Sequence, residues 1–78
     1  MHRVTLYSRP GCHLCDDARA VVLAVRDRHG FAFEEIDITQ DDVLLRDYAI
    51  RIPVVAVDGQ ERFEIEVDAQ RLGELVRV

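Results

Sequence analysis

The spacing of hydrophobic and polar positions changes along the chain, and each change marks an element. Arg3-Val4-Thr5-Leu6-Tyr7 is rich in β-forming residues and predicts a strand. Ser8-Arg9-Pro10-Gly11 ends it, because proline lacks an N–H and glycine permits a sharp turn. From there Leu14, Ala18, Val21, Val22 and Val25 recur at helical spacing as one apolar stripe. Asp16 and Asp17 near the start, with Arg26, Arg28 and His29 near the end, complement the helix dipole, and Gly30 suits a left-handed stop. A helix is predicted over 13–28.

Phe31, Phe33, Ile36 and Ile38 predict a second strand over 31–38, with a slip at Glu34-Glu35 that suggests a bulge. Thr39 as N-cap, with Asp42 three residues on, opens a short helix over 41–48 whose apolar side is Leu44, Leu45 and Tyr48. Ile52-Pro53 stops that helix, and Val54-Val55-Ala56-Val57 is apolar on both faces, as a central strand is. Asp58-Gly59 predicts a type I′ hairpin, so Arg62–Glu66 returns antiparallel. Asp68 caps a last helix over 69–76 that turns Leu72, Leu75 and Val76 inward. The order β-α-β-α-β-β-α, with a right-handed parallel crossover first and a hairpin last, specifies an α/β chain. Its expected architecture is a four-stranded mixed sheet with helices on both faces, in one domain over 1–78.

Composition narrows the partners. An apolar content of 49% against 32% charged residues is a globular balance, not a disordered one. Ten arginines, no lysine and fifteen acids give a net charge of −5, which opposes phosphate neutralisation and argues against a nucleic-acid partner. The longest apolar run, Ala20–Val25, is far short of the roughly 20 residues of a membrane span. The first residues carry no apolar stretch of the kind a secretory signal uses. A monomeric cytoplasmic protein with no membrane partner is the expectation.

The chemistry lies at Cys12 and Cys15, the only two cysteines. A structural disulfide framework normally has four or more, and a bridge over so short a loop removes little chain entropy. Cys12 falls where a strand ends and a helix begins. There the unpaired N–H groups and the positive end of the helix dipole favour an anion, hence the thiolate. Only the thiolate attacks disulfides, so Cys12 is the expected nucleophile. Cys15, one turn further in, is placed to attack the resulting mixed disulfide and release the product. A protonated His13 beside the thiolate stabilises the reduced state and makes the pair more oxidising. Structural zinc needs four ligands, and Cys12, Cys15 and His13 or His2 make a poor set, so no metal site is expected.

Tyr7-Ser8-Arg9-Pro10-Gly11-Cys12-His13-Leu14-Cys15 resembles the active-site segment of glutaredoxins, in which a strand runs into Tyr-Ser/Thr-Lys-Pro-x-Cys-x-x-Cys. Ile52-Pro53 before an apolar strand resembles the cis-proline segment of thioredoxin-fold proteins. Element order and length extend the resemblance over the whole chain, closest to the small bacterial glutaredoxin-like proteins. It implies a thioredoxin/glutaredoxin-like fold and dithiol–disulfide exchange. It further implies a cis Ile52–Pro53 bond beside Cys12, with the Ile52 backbone pairing with an extended substrate. Arg9 stands where glutaredoxins often carry a lysine that meets a glutathione carboxylate. Val67-Asp68 offers backbone and a helix N-terminus for the far end of such a ligand.

The chain also departs from the pattern. His13-Leu14 replaces the common Pro-Tyr, Arg51 replaces a frequent threonine, and Phe63-Glu64-Ile65-Glu66-Val67-Asp68 replaces paired glycines and the acids after them. No bound cofactor is expected. The substrate is a protein disulfide or a glutathione-type disulfide, and the electron donor a reductase system. Glutathione is one candidate donor, with a weak rate expected because the glycine pair is missing. The alternative to an enzyme is a non-catalytic thioredoxin-fold binding module or a metal or iron–sulfur carrier.

Overall fold

Alternating burial in Arg3–Ser8 makes the first strand, β1, in which Val4, Leu6 and Ser8 point to one face and Thr5 and Tyr7 to the other. The computed structural model describes residues 1–77; Val78, the last residue of the expected domain, lies outside them. The remaining elements are α1 (His13–His29), β2 (Ala32–Asp37), α2 (Asp42–Tyr48), β3 (Val54–Val57), β4 (Gln60–Glu64) and α3 (Ala69–Val76). A short 3-10 turn, Ile38–Gln40, joins β2 to α2. The sheet order is β2-β1-β3-β4, with β1 parallel to β2 and antiparallel to β3, and β3 antiparallel to β4. The mixed four-stranded sheet and three helices are those the pattern specifies.

The main core forms on one face. Val4, Leu6, Val55 and Val57 of the sheet meet Ala18, Val22 and Val25 of α1 and Leu72 and Val76 of α3. Each fully buried Val or Leu contributes on the order of 1.5–3 kcal/mol, so this layer carries most of the stability. A smaller cluster at the end of β1 joins Cys15, Ile38 and Ile52, with Tyr7, Leu44 and Tyr48 packed against it.

Local signals explain most boundaries. Gly30 closes α1 at φ 71°, its N–H donating to the Arg26 carbonyl at 2.8 Å. Asp58 and Gly59 both adopt positive φ, 53° and 85°, as a type I′ turn requires. The Asp58 carboxylate also accepts the Arg3 N–H at 2.9 Å and pairs with His2, which ties the turn to the start of β1. The His2 contact holds that carboxyl below its ordinary value.

Several expectations need correction. The register of β1 with β2 runs unbroken from Arg3–Ala32 to Ser8–Asp37, so Glu34-Glu35 is not a bulge. The alternation fails there because Glu35, on the Phe33 face, meets Arg19 of α1 instead of the apolar core. The irregularity lies in β4, where Arg62 is extra between Phe63 (opposite Val55) and Glu61 (opposite Ala56), and the strand spans 60–64 instead of 62–66. Asp41, not Thr39, caps α2, its carboxylate accepting from Val43 at 2.8 Å and Leu44 at 3.2 Å. Thr39 is itself held by Asp37. Leu14 and Leu45, assigned to apolar stripes, are 47% and 39% exposed.

Candidate redox site

Cys12 is the N-cap of α1, with extended backbone, and its Sγ accepts a hydrogen bond from the Cys15 N–H at 3.1 Å. That amide is one of the orphan donors of the first helical turn. Cys12 and Cys15 are joined as a disulfide, their Cα atoms 5.2 Å apart. Cys12 is partly exposed and Cys15 fully buried, which separates the two sulfurs by access as well as by position. A partly exposed sulfur with an amide aimed at it, backed by a buried mate, suits attack from solvent followed by internal resolution.

Ile52–Pro53 is cis. Ile52 shares the cluster that holds Cys15, against which Cys12 also packs, so the proline segment and the sulfurs are brought together. The Ile52 N–H donates to the Tyr48 carbonyl at 3.2 Å. A substrate pairing with Ile52 would therefore use its carbonyl. The Pro53 carbonyl accepts the Ile65 N–H at 2.8 Å, which fastens the segment after β4 to the same site.

The remaining residues singled out from the sequence are dispersed. His13 is exposed as the first residue of α1. Arg9 is exposed and borders a hollow with Ser8, Gly11, Asp16, Arg19 and Glu35, on the β2 side of β1. Val67 borders a different hollow on the α3 side. Arg9 and Val67 thus border separate hollows. Asp68 caps α3, and its carboxylate accepts from the Gln70 N–H at 2.9 Å and the Arg71 N–H at 3.2 Å. It thereby occupies the amides that a ligand carboxylate would seek.

Two polar networks flank the sulfurs that the sequence did not announce. Arg19 grips Glu35 with a two-pronged contact, Nε to Oε1 at 2.7 Å and Nη2 to Oε2 at 2.5 Å, and also reaches Asp16 at 2.9 Å. Buried Ser8 donates its hydroxyl to Glu35 at 2.6 Å. The Arg19 fork holds the Glu35 carboxyl below the usual range despite partial burial. The second network begins with Tyr7 stacked on Tyr48, centroids 4.5 Å apart and planes 7° from parallel. The Arg51 guanidinium lies 5.0 Å over Tyr48 and binds both Glu61 and Glu64. Tyr48 donates to Glu61 at 2.7 Å, which raises the phenol above its ordinary value and lowers the carboxyl. The i,i+3 spacing of Asp16 and Arg19 was the available sequence signal for the first network. The second pairs residues with no local pattern.

The fold and the paired cysteines at a helix start define a class: proteins with the thioredoxin fold and a C-x-x-C disulfide. A model of the family described as Glutaredoxin-like domain (DUF836) matches residues 3–77, and the chain belongs to that family. It is 32% identical over 75 residues to the uncharacterized protein Rv0508 of Mycobacterium tuberculosis, covering 90% of this chain and 77% of that one. The solution structure of protein Ne2328 from Nitrosomonas europaea is similar, with a TM-score of 0.82 and 27% identity, covering 96% of this chain and 91% of that one. A mutant thioredoxin from Halobacterium salinarum shares the fold, with a TM-score of 0.70 at 21% identity over 96% of this chain and 71% of that one. Among the described residues no helix is long and apolar enough to cross a membrane.

Proposed function

We propose that this chain is a cytoplasmic dithiol–disulfide oxidoreductase acting on protein or small-molecule disulfides. The observation that carries the reading is the Cys12 Sγ at the start of α1, 3.1 Å from the Cys15 amide, with Cys15 buried behind it. In the reduced protein the Cys12 thiolate attacks one sulfur of the substrate disulfide. A bond forms to Cys12, the substrate S–S bond breaks, and the departing sulfur leaves as a thiolate that takes a proton from solvent. Cys15 then loses its proton to solvent and attacks Cys12. The mixed disulfide breaks, the second substrate sulfur leaves, and two electrons have passed to the substrate. An external thiol or dithiol returns the Cys12–Cys15 disulfide to the reduced state.

Glutathione is the weaker candidate for that donor. Support comes from Asp68, whose carboxylate already accepts from the Gln70 and Arg71 amides of α3. A dithiol reductase system fits better. Reduction of hydroxyethyl disulfide and insulin by the wild type and by Cys12→Ser tests the activity. The variant should lose roughly a hundredfold or more; equal rates contradict the reading. Turnover with glutathione and its reductase, against a thioredoxin-reductase system with NADPH, should favour the second.

A further inference from the structure

A hollow of about 260 Å³ opens between the first turns of α1 and the 65–67 segment that joins β4 to α3. Ala18, Val21 and Val67 form its apolar wall, and Leu14 and Ile65, 47% and 40% exposed, stand at its rim. Leu14 lies between the two cysteines in the chain, and Ile65 is hydrogen-bonded to the cis proline, so two of its lining residues tie the hollow to the disulfide although neither cysteine lines it. Its volume is below the roughly 300–1,000 Å³ of pockets that enclose a whole small-molecule ligand. It suits one or two side chains.

Two further features give the hollow a direction. Asp17 and Glu66 border it and form no ion pair among the described residues, whereas neighbouring Asp16 and Glu64 are paired with Arg19 and Arg51. In addition, Ile65 holds φ at 70°, with the Glu66 N–H turned back to the Glu64 carbonyl at 2.7 Å. A β-branched residue rarely adopts positive φ, which glycine takes freely. The strained turn holds an apolar side chain at the rim of this hollow, tied by its own N–H to the cis proline, and that placement points to recognition.

We infer that this groove selects polypeptide disulfides in which an apolar residue next to the attacked half-cystine is accompanied by lysine or arginine, and that it disfavours anionic disulfides. The inference rests on the disulfide-reductase reading above and names its substrate class. The apolar side chain enters between Leu14, Val67 and Ile65, while the cation meets Asp17 and Glu66. Glutathione disulfide, with its paired carboxylates, meets the same two acids in repulsion.

The test uses the reduced full chain and three disulfides: hydroxyethyl disulfide, a cystine-linked peptide flanked by Leu and Lys, and the same peptide flanked by Leu and Glu. The Leu-Lys peptide should react about tenfold faster than the Leu-Glu peptide at low salt, with the ratio shrinking as salt rises. Asp17→Asn with Glu66→Gln should bring the ratio within about threefold. Asp27→Asn with Glu34→Gln, an equal charge change away from the groove, should leave it. Because the ratio compares two substrates of one protein, a change in the reactivity of Cys12 cancels. Ile65→Gly should keep or raise the melting temperature while reducing the preference for a Leu over a Ser flank about threefold. No reduction of hydroxyethyl disulfide by the wild type overturns the activity and the groove together. Reduction of it with equal peptide rates, or equal loss of the ratio in both double variants, overturns the groove alone.

Discussion

The two sides of the β1 terminus differ in how they use charge. Toward β2, Asp16, Arg19, Glu35 and the Ser8 hydroxyl satisfy one another in a closed network that joins α1 to an edge strand. Toward α3, Asp17 and Glu66 border an apolar hollow without an ion-pair partner among the described residues, and the backbone between them and β4 is strained at Ile65. Satisfied charges lock elements in place and offer little to a ligand. Unsatisfied ones beside exposed apolar side chains cost folding little in water but bias what can approach. The helix that starts at the reacting sulfurs, α1, is thus braced on one side and open on the other.

Substitutions break this contrast in graded ways. Cys12→Ser should have the largest effect, removing disulfide reduction by roughly a hundredfold or more while thermal stability of the reduced protein changes little. On the braced side, Glu35→Gln should lower stability by about 1–2 kcal/mol at neutral pH, discounted for side chains about one-third and one-quarter exposed, as read from chemical denaturation. The Glu35 carboxyl titrates lower folded than unfolded. Its stabilisation is therefore complete above the ordinary glutamate value of 4.5 and is lost as pH falls through the depressed one. The gap between wild type and Glu35→Gln should accordingly close in acid, and a gap that persists or widens there contradicts the assignment. The peptide preference should not move. On the open side, Asp17→Asn with Glu66→Gln should do the reverse, collapsing the preference with less than about 1 kcal/mol of stability change. The smallest effect belongs to His13→Ala, which should lower the reduction potential by roughly 10–30 mV, measured against a glutathione redox buffer. No shift removes His13 from the account.

Elements with local punctuation were legible in the chain. Gly30 ends α1, Asp58-Gly59 makes the hairpin and Asp68 caps α3, each because the required geometry is set within a few residues. The start of α2 was not, since Asp37, Thr39 and Asp41 all offer a capping oxygen and the order in which they are used depends on where β2 ends. Glu35 breaks the apolar alternation because its partner, Arg19, is sixteen residues away on another element. In the candidate site, Cys12 and Cys15 were legible from type and spacing, and Pro53 from its resemblance to the cis-proline segment of thioredoxin-fold proteins. Ile65 gave no signal, since nothing in Glu64-Ile65-Glu66 announces a positive φ at a β-branched residue. Arg9 borders a hollow with residues of α1 and β2, and Val67 one with α1 and the segment after β4, and neither set of neighbours has a local pattern in the chain.

The most direct test of the central claim is the pH dependence of alkylation of the reduced protein, followed at Cys12 in a Cys15→Ser background. The amides at the start of α1 should make Cys12 ionise well below the value of about 8.5 for free cysteine, with reactivity already near its plateau at neutral pH. A midpoint at or above that of free cysteine contradicts the account.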